Sequence, residues 1–329
     1  MQCNPKGRKH KLLRRLLHPD YFQGSHKDKK YFEGWYFKCI SKDRQHALAI
    51  IPGMAIDSHG LRHAFVQVIN AISGKTYYFR FPYEQFASPK DRFAVKIGEN
   101  RFDATGISLG IQSDEGQVSG MLHFSDAHPF PTSWHNPGIM GPFSFIPFME
   151  CYHVVIHLFH TLQGTIVLDG ETLDFTGGIG YIEKDYGHSF PSSYLWLQAS
   201  HFEAGKASFV FSKARIPFLW SDFPGFFAYF TDFNGLSCRF ATYNRSRLNR
   251  WQIDLISRTC SGELTGPSGT LKFEAQMSGG GKLRAPVEGR MDREIIESIT
   301  ASVHITVSDS NGSILFQGVS SEAGMEMCL

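Results

Sequence analysis

Short apolar runs, each closed by turn residues, dominate the chain after residue 31. WYFKCIS, HALAIIPGMAI, AFVQVINAI, TYYFRFP, RFAVKIG, ISLGIQS and QVSGMLHFS follow one another at the spacing of antiparallel meanders. SKDRQ, SGK, GEN and SDEGQ supply the turns between them. Long helical periodicity is absent, and DREIIESI at 292–299 is the one helix candidate in the body of the chain. The pattern breaks at SDAHPFPTSWHNPGIMGPFSFIPF, where Pro129, Pro131, Pro137, Pro142 and Pro147 predict an extended connector. Strands resume in CYHVVIHLFHTLQGTIVLDGETLDFTGGIGYIEK, expected to form a pair of hairpins that turn at LQG and LDGE.

The second half repeats the pattern of the first. GWYFKCISKDRQHALAII, beginning beside Trp35, is answered by YLWLQASHFEAGKASFVF around Trp196, and HAFVQVINAISGKTYYFRF by FFAYFTDFNGLSCRFATY. The organisation expected is a basic N-terminal arm at 1–30 and two β-domains at 31–187 and 188–329. Each domain has enough strands to curl and close, which removes exposed sheet edges. The fold class predicted is all-β, with two antiparallel β-barrels. A barrel of about eight strands can enclose one small ligand.

Composition narrows the partners. Hydrophobic residues make up 42% of the 329 and aromatics 14%, with 29 Phe, which suits strands around an apolar, aromatic-lined cavity. A hydrophobic small molecule is the expected partner. The formal net charge of +2 gives no basis for nucleic-acid binding. Residues 1–30 nevertheless carry nine Lys/Arg and two Asp. Within them, residues 6–17 place Leu12, Leu13, Leu16 and Leu17 at helical spacing among basic side chains. Such a segment either docks its Leu face on the protein or lies on anionic lipid as a peripheral membrane contact. No apolar run has the form of a secretory signal or reaches the ~20 residues of a membrane span. The six cysteines show no CxxC spacing, which fits a reduced, cytoplasmic setting.

Motifs for nucleotide, nicotinamide or serine-nucleophile chemistry are absent, and no cofactor is expected. His153, His157 and His160 lie on one predicted strand. A regular period of two places 153 and 157 on one face and 160 on the other, so no metal site is expected there. Polar chemistry is concentrated instead in GGIGYIEKDYGHSFPSSYLWLQASHF, residues 177–202. If Ile182 to Asp185 continues a strand, Glu183 and Asp185 share one face and Lys184 points the other way. Tyr181, Tyr186 and Trp196 surround them with aromatic surface. Ion pairs that tie two domains together would use the same residues.

Several segments together resemble the tocopherol cyclase family: HPDYFQG (18–24), YFEGWYFK (31–38), PGIMGPFSFIPFMECYH (137–153) and LDFTGGIGYIEKDYGHSFPSSYLWLQASHF (173–202). The resemblance is strongest over 18–235 and implies two lipocalin-like (calycin-type) β-barrel domains. It also implies an acid-catalysed, cofactor-independent cyclisation, in which protonation of a prenyl alkene gives a tertiary cation that the phenol oxygen attacks. That chemistry requires a proton donor in a dry, aromatic-lined cavity. Asp185 is the first candidate donor, being nearest the domain junction, followed by Glu183 and Glu33, with the other carboxyl of the Glu183/Asp185 pair or His188 as the candidate proton acceptor. Trp35, Tyr181, Tyr186 and Trp196 are the candidate substrate-binding residues. Tyr186 stands where the family pattern leads one to expect Trp, which leaves the substrate open. A carrier of a hydrophobic isoprenoid or lipid, without chemistry, is the alternative.

Overall fold

The structure, a computed structural model, describes residues 16–133, 136–147, 149–218 and 221–329. The basic stretch 6–15 lies outside the described residues. No helix among the described residues is long and apolar enough to cross a membrane.

Twelve strands build the first sheet: β1 (Tyr31–Ile40), β2 (Ala47–Ile56), β3 (Arg62–Asn70), β4 (Thr76–Pro82), β5 (Phe86–Ala87), β6 (Ala94–Ile97), β7 (Asn100–Asp103), β8 (Gly106–Ser113), β9 (Gly116–Pro129), β10 (Cys151–Leu168), β11 (Glu171–Asp174) and β12 (Ile179–Gly187). Ten build the second: β13 (Tyr194–Ala199), β14 (Ser208–Phe218), β15 (Ser221–Thr231), β16 (Ser237–Ala241), β17 (Arg247–Asp254), β18 (Thr259–Gly266), β19 (Gly269–Gln276), β20 (Gly281–Val287), β21 (Arg290–Ser308) and β22 (Ile314–Cys328). All pairings are antiparallel. In each sheet the first strand pairs with the last, β1 with β12 and β13 with β22. Meanders run outward from both sides of that central pair. The molecule is all-β, as the short alternating runs indicated.

The two sheets pack face to face through their central strands, which explains why β1 and β2 are buried almost throughout. Alternation along β1 sends Glu33, Trp35 and Phe37 into the first sheet's own interior. Phe32, Gly34, Tyr36 and Lys38 are sent toward the second sheet. On β13 the same rule turns Leu195, Leu197 and Ala199 into a separate apolar core, while Tyr194 and Trp196 pack with the core of the first sheet. Polar ties cross the junction. Gln67 and Arg284 exchange two hydrogen bonds, Gln67 accepting from the Arg284 N–H at 2.9 Å and donating to its carbonyl at 3.0 Å. The buried Lys38 ammonium donates to Gln198 Oε1 at 2.9 Å and to the Glu322 carbonyl at 2.5 Å. Burial lowers this lysine to about 7, against the pull of Glu322 and Glu297.

Three local expectations are corrected. DREIIESI is strand, lying within β21. Its inward face carries Met291, Ile295, the buried Glu297 and Ile299, and its outward face carries the exposed Ile296. A buried acid and an exposed isoleucine together obscure the period of two. LQG is not a turn, because β10 runs unbroken through it for 18 residues, with Gly164 at φ +128 absorbing the distortion. Only LDGE turns, at Asp169 (φ 50) and Gly170 (φ 88). Finally, β10 shifts register between Val155 and His157 and again between His157 and His160. These bulges bring the His157 and His160 rings to 5.4 Å, where regular alternation would separate them.

Candidate active site

Where the two sheets meet, β1, β3 and β12 of the first and β13, β14 and β22 of the second leave a cavity of about 150 Å³. Its wall is mostly aromatic and aliphatic: Phe32, Tyr36, Tyr194, Trp196, Phe227 and Ile216 among others. The proline-rich connector covers part of it with Met140 and Met149. The connector is held by the Tyr243 hydroxyl, which donates to the Ile139 carbonyl at 2.8 Å. The polar groups that reach this space are few: His153, Glu183, Asp185, Glu326, Glu150, Gln67 and Arg215 are chief among them.

Glu183 and Asp185 do share a face of β12, with Lys184 on the other. Between them stands His153 of β10, directly opposite Asp185 in the strand pairing. His153 Nδ1 lies 2.9 Å from Asp185 Oδ1, and its Nε2 lies 3.4 Å from Glu183 Oε2. The Tyr181 hydroxyl donates to the same Glu183 oxygen at 2.6 Å. Cys151 Sγ adds a weak contact to Asp185 at 3.7 Å. Burial pushes the Glu183 carboxyl up to about 7; His153 pulls it down and Asp185 pushes it further up. Burial alone would lower the His153 imidazole, but Glu183 and Asp185 outweigh it and raise the group to about 9. The pair titrates as a unit, and near neutral pH it holds a proton next to an apolar wall.

A second acidic group faces it from the other sheet. Glu297 and Glu326 are cross-strand neighbours on β21 and β22, and Trp196 is opposite Glu326 on β13. The Tyr194 hydroxyl donates to Glu326 Oε2 at 2.5 Å. Burial raises Glu297 to about 8, with Tyr36 easing the shift and Glu183 increasing it. The Tyr36 hydroxyl and both Glu297 oxygens make no hydrogen bond of ordinary geometry; proximity of the phenol, not a formed bond, accounts for its effect. Burial raises Glu326 well above the usual carboxylate range, and the neighbouring Glu297 adds to that.

Of the residues singled out in the sequence, Glu183, Asp185 and Trp196 line the cavity, and Tyr181 supports Glu183 from behind. Trp196 stands edge-on to Tyr36 at 5.5 Å. Glu33, Trp35 and Tyr186 lie on the opposite faces of their strands. Glu33 pairs with Lys184 at 2.7 Å, both fully buried, and accepts from Tyr31 at 2.6 Å and from the Gln23 N–H at 2.8 Å. Trp35 stacks on Phe93 at 6.0 Å and donates its indole N–H to the Asp20 carbonyl at 3.1 Å. Tyr186 stacks on Tyr152 at 4.9 Å. His188 follows β12 in the junction, its Nδ1 3.2 Å from Ser189 Oγ, and burial lowers its pKa.

The sequence reading passed over His153 as a site residue, although it closes the PGIMGPFSFIPFMECYH motif. Glu297 and Glu326 carried no local signal, because strand pairings join them to the site. His153, Glu183 and Asp185 also have ligating atoms within 4.8 Å of one another, a spacing that a divalent cation can bridge. An imidazole with two carboxylates is a donor set such ions accept.

No curated protein sequence matches the chain. Solved structures share its fold. A putative AttH from Nitrosomonas europaea aligns over 93% of this chain and 95% of its own, at 13% identity and TM-score 0.53. Kievitone hydratase from Nectria haematococca aligns over 90% and 88%, at 11% identity and TM-score 0.52. CghA aligns over 91% and 88%, at 10% identity and TM-score 0.54. The two sheets accordingly form a lipocalin-like all-β fold. The model of the tocopherol cyclase-like family matches residues 127–329, a span that holds His153, Glu183, Asp185, Glu297 and Glu326. With well over half its length matched, and the clustered acids within that part, the chain belongs to the tocopherol cyclase-like family.

Proposed function

We propose that the protein is a cofactor-independent cyclase that closes an oxygen ring on a prenylated hydroquinone or related isoprenoid by protonating an alkene. The observation that carries this reading is Glu183, a carboxyl buried in an aromatic wall, held at about 7 by that burial and beside a charged imidazole. A carboxylic acid kept neutral by apolar surroundings is a suitable donor at physiological pH. Family membership points to the same chemistry.

The alkene lies against Glu183, which delivers its proton to the less substituted alkene carbon. The carboxylate left behind is held by the Tyr181 hydroxyl at 2.6 Å and by the His153 imidazolium at 3.4 Å. Asp185 anchors that imidazolium through Nδ1 at 2.9 Å. The tertiary cation faces Trp196, Tyr36 and Phe227, whose ring faces stabilise positive charge, and exclusion of water prevents its capture. The phenol oxygen attacks the cationic carbon, a C–O bond forms, and the phenol proton returns to Glu183. Atoms and protons balance, and no electrons are exchanged with a partner. A cavity of about 150 Å³ is of the order that stays dry around an apolar guest; it takes the reacting end of the substrate. The test is conversion of a prenylated hydroquinone to an isomer of unchanged mass and altered retention, slowed at least ~10²-fold in Glu183→Gln.

A carrier would need the apolar wall but not the acids. Four carboxyls and an imidazole brought to one apolar junction favour chemistry over carriage.

A further inference from the structure

The reaction assigned to Glu183 requires the attacking oxygen to be placed over the cation, and none of the residues named for the proton step does this. On that reading, we propose that Glu326, pinned by Tyr194 on the second sheet, binds the hydroxyl of the substrate across the cavity from Glu183. The substrates accepted would then be alkenes that carry their own hydroxyl nucleophile.

Glu183 and Glu326 both line the cavity, but from different sheets, β12 and β22. A ligand filling the space therefore touches one acid on each side. Glu326 Oε2 is occupied by the Tyr194 hydroxyl at 2.5 Å, which fixes the carboxyl in one orientation. No other group among the described residues hydrogen-bonds to Glu326, so Oε1 remains for a ligand. Trp196, paired with Glu326 in register, fills the wall beside it and stands edge-on to Tyr36, so the polar atom is set in aromatic surroundings. Burial, and after it the adjacent Glu297, raise the carboxyl well above its ordinary value and so favour its neutral form. A neutral carboxyl offers both a donor and an acceptor, which suits a hydroxyl and leaves it nucleophilic. Proton delivery stays with Glu183. Glu326 is a positioning group, and its removal should weaken recognition of the hydroxyl specifically.

The probes are a 2-prenylhydroquinone and the same compound methylated on the oxygen next to the prenyl group, with binding followed by calorimetry. Wild-type protein should bind the free hydroxyl roughly tenfold more tightly than the ether, the worth of one buried hydrogen bond. Glu326→Met should abolish that preference while still binding both compounds, and Glu326→Gln, which keeps a donor and an acceptor, should retain it. Tyr194→Phe frees the carboxyl and should reduce the preference, which keeps the test available should Glu326→Met fail to fold. A preference that survives in Glu326→Met, or in Tyr194→Phe at full strength, would overturn the assignment. Wild-type protein that discriminates between the probes but converts neither would overturn the cyclase reading and leave Glu326 as the hydroxyl-binding group. Conversion with equal affinity for both would do the reverse.

Discussion

One imidazole joins two acids: His153 presents Nδ1 to Asp185 at 2.9 Å and Nε2 to Glu183 at 3.4 Å. The two carboxyls are thereby given different tasks. Asp185 sets the orientation and charge of the ring, and Glu183 lies deeper, its side chain 6% exposed against 22% for Asp185. Glu183→Gln should lower turnover by roughly 10²–10⁴, the usual worth of a general acid, with substrate affinity nearly unchanged. Asp185→Asn should act through His153, lowering the imidazole pKa and turnover together. Turnover that is equal to wild type in Glu183→Gln and lost only in Asp185→Asn would transfer the donor role to Asp185.

The rate should depend on pH through the protonated form of Glu183. With that group at about 7, kcat should be level below pH 6 and fall as pH rises through 7 to 8. A rate that climbs over this range would mean the essential form is a base. The profile is measured as initial rates at saturating substrate.

Stability should move with pH in the same sense. The folded-state values of Glu183 and Glu297, about 7 and about 8, stand above the ordinary 4.5. Their contribution is full below pH 4.5 and is lost as pH rises through 7 and 8. His153, raised to about 9 from 6.5, contributes fully below 6.5 and loses its share as pH passes 9. All three act together, so the melting temperature should drop by at least ~5 °C between pH 6 and pH 9, given about 1.4 kcal/mol per pKa unit and roughly 2–4 °C per kcal/mol. Glu297→Gln should flatten the curve. Scanning calorimetry across this range decides it, and a melting temperature that rises with pH would contradict the assignment of these protons.

Glu33 belongs to the framework. Its pairing with Lys184 is fully buried at 2.7 Å, and removing one partner of such a pair typically costs about 3–5 kcal/mol. Glu33→Ala should therefore lower the melting temperature markedly while leaving turnover per folded molecule intact. Lost turnover in a variant that melts like wild type would place Glu33 in the chemistry.

What the sequence made legible follows from how local the signal was. In YIEKDYG the strand period alone set Glu183 and Asp185 on one face and Lys184 on the other, and the structure keeps that order. YFEGWYF was equally regular, but regularity does not say which face meets the second sheet. Glu33 and Trp35 could be assigned to a wall without being on the cavity side. His153 depended on the register of β10 against β12, which sets it opposite Asp185 and which no residue type announces. Glu326 lies 143 positions beyond Glu183 in the chain; only the pairing of β13 with β22 brings it to the site. Glu297 was hidden by a segment whose exposed Ile296 imitates a helical face.

The most direct measurement is conversion of a geranylated hydroquinone, whose ring closure creates a stereocentre at the C–O carbon, in D2O, read by mass spectrometry after exchangeable deuterons are washed out, with chiral chromatography of the product. Protonation of the alkene by an exchangeable carboxyl predicts a single product enantiomer, one mass unit heavier, with the deuteron on the former alkene carbon. In H2O the product should have the mass of the substrate, and Glu183→Gln should form it at least ~10²-fold more slowly. Substrate recovered bound but unchanged, or a racemic product formed equally fast by Glu183→Gln, would contradict the reading and leave a binding protein.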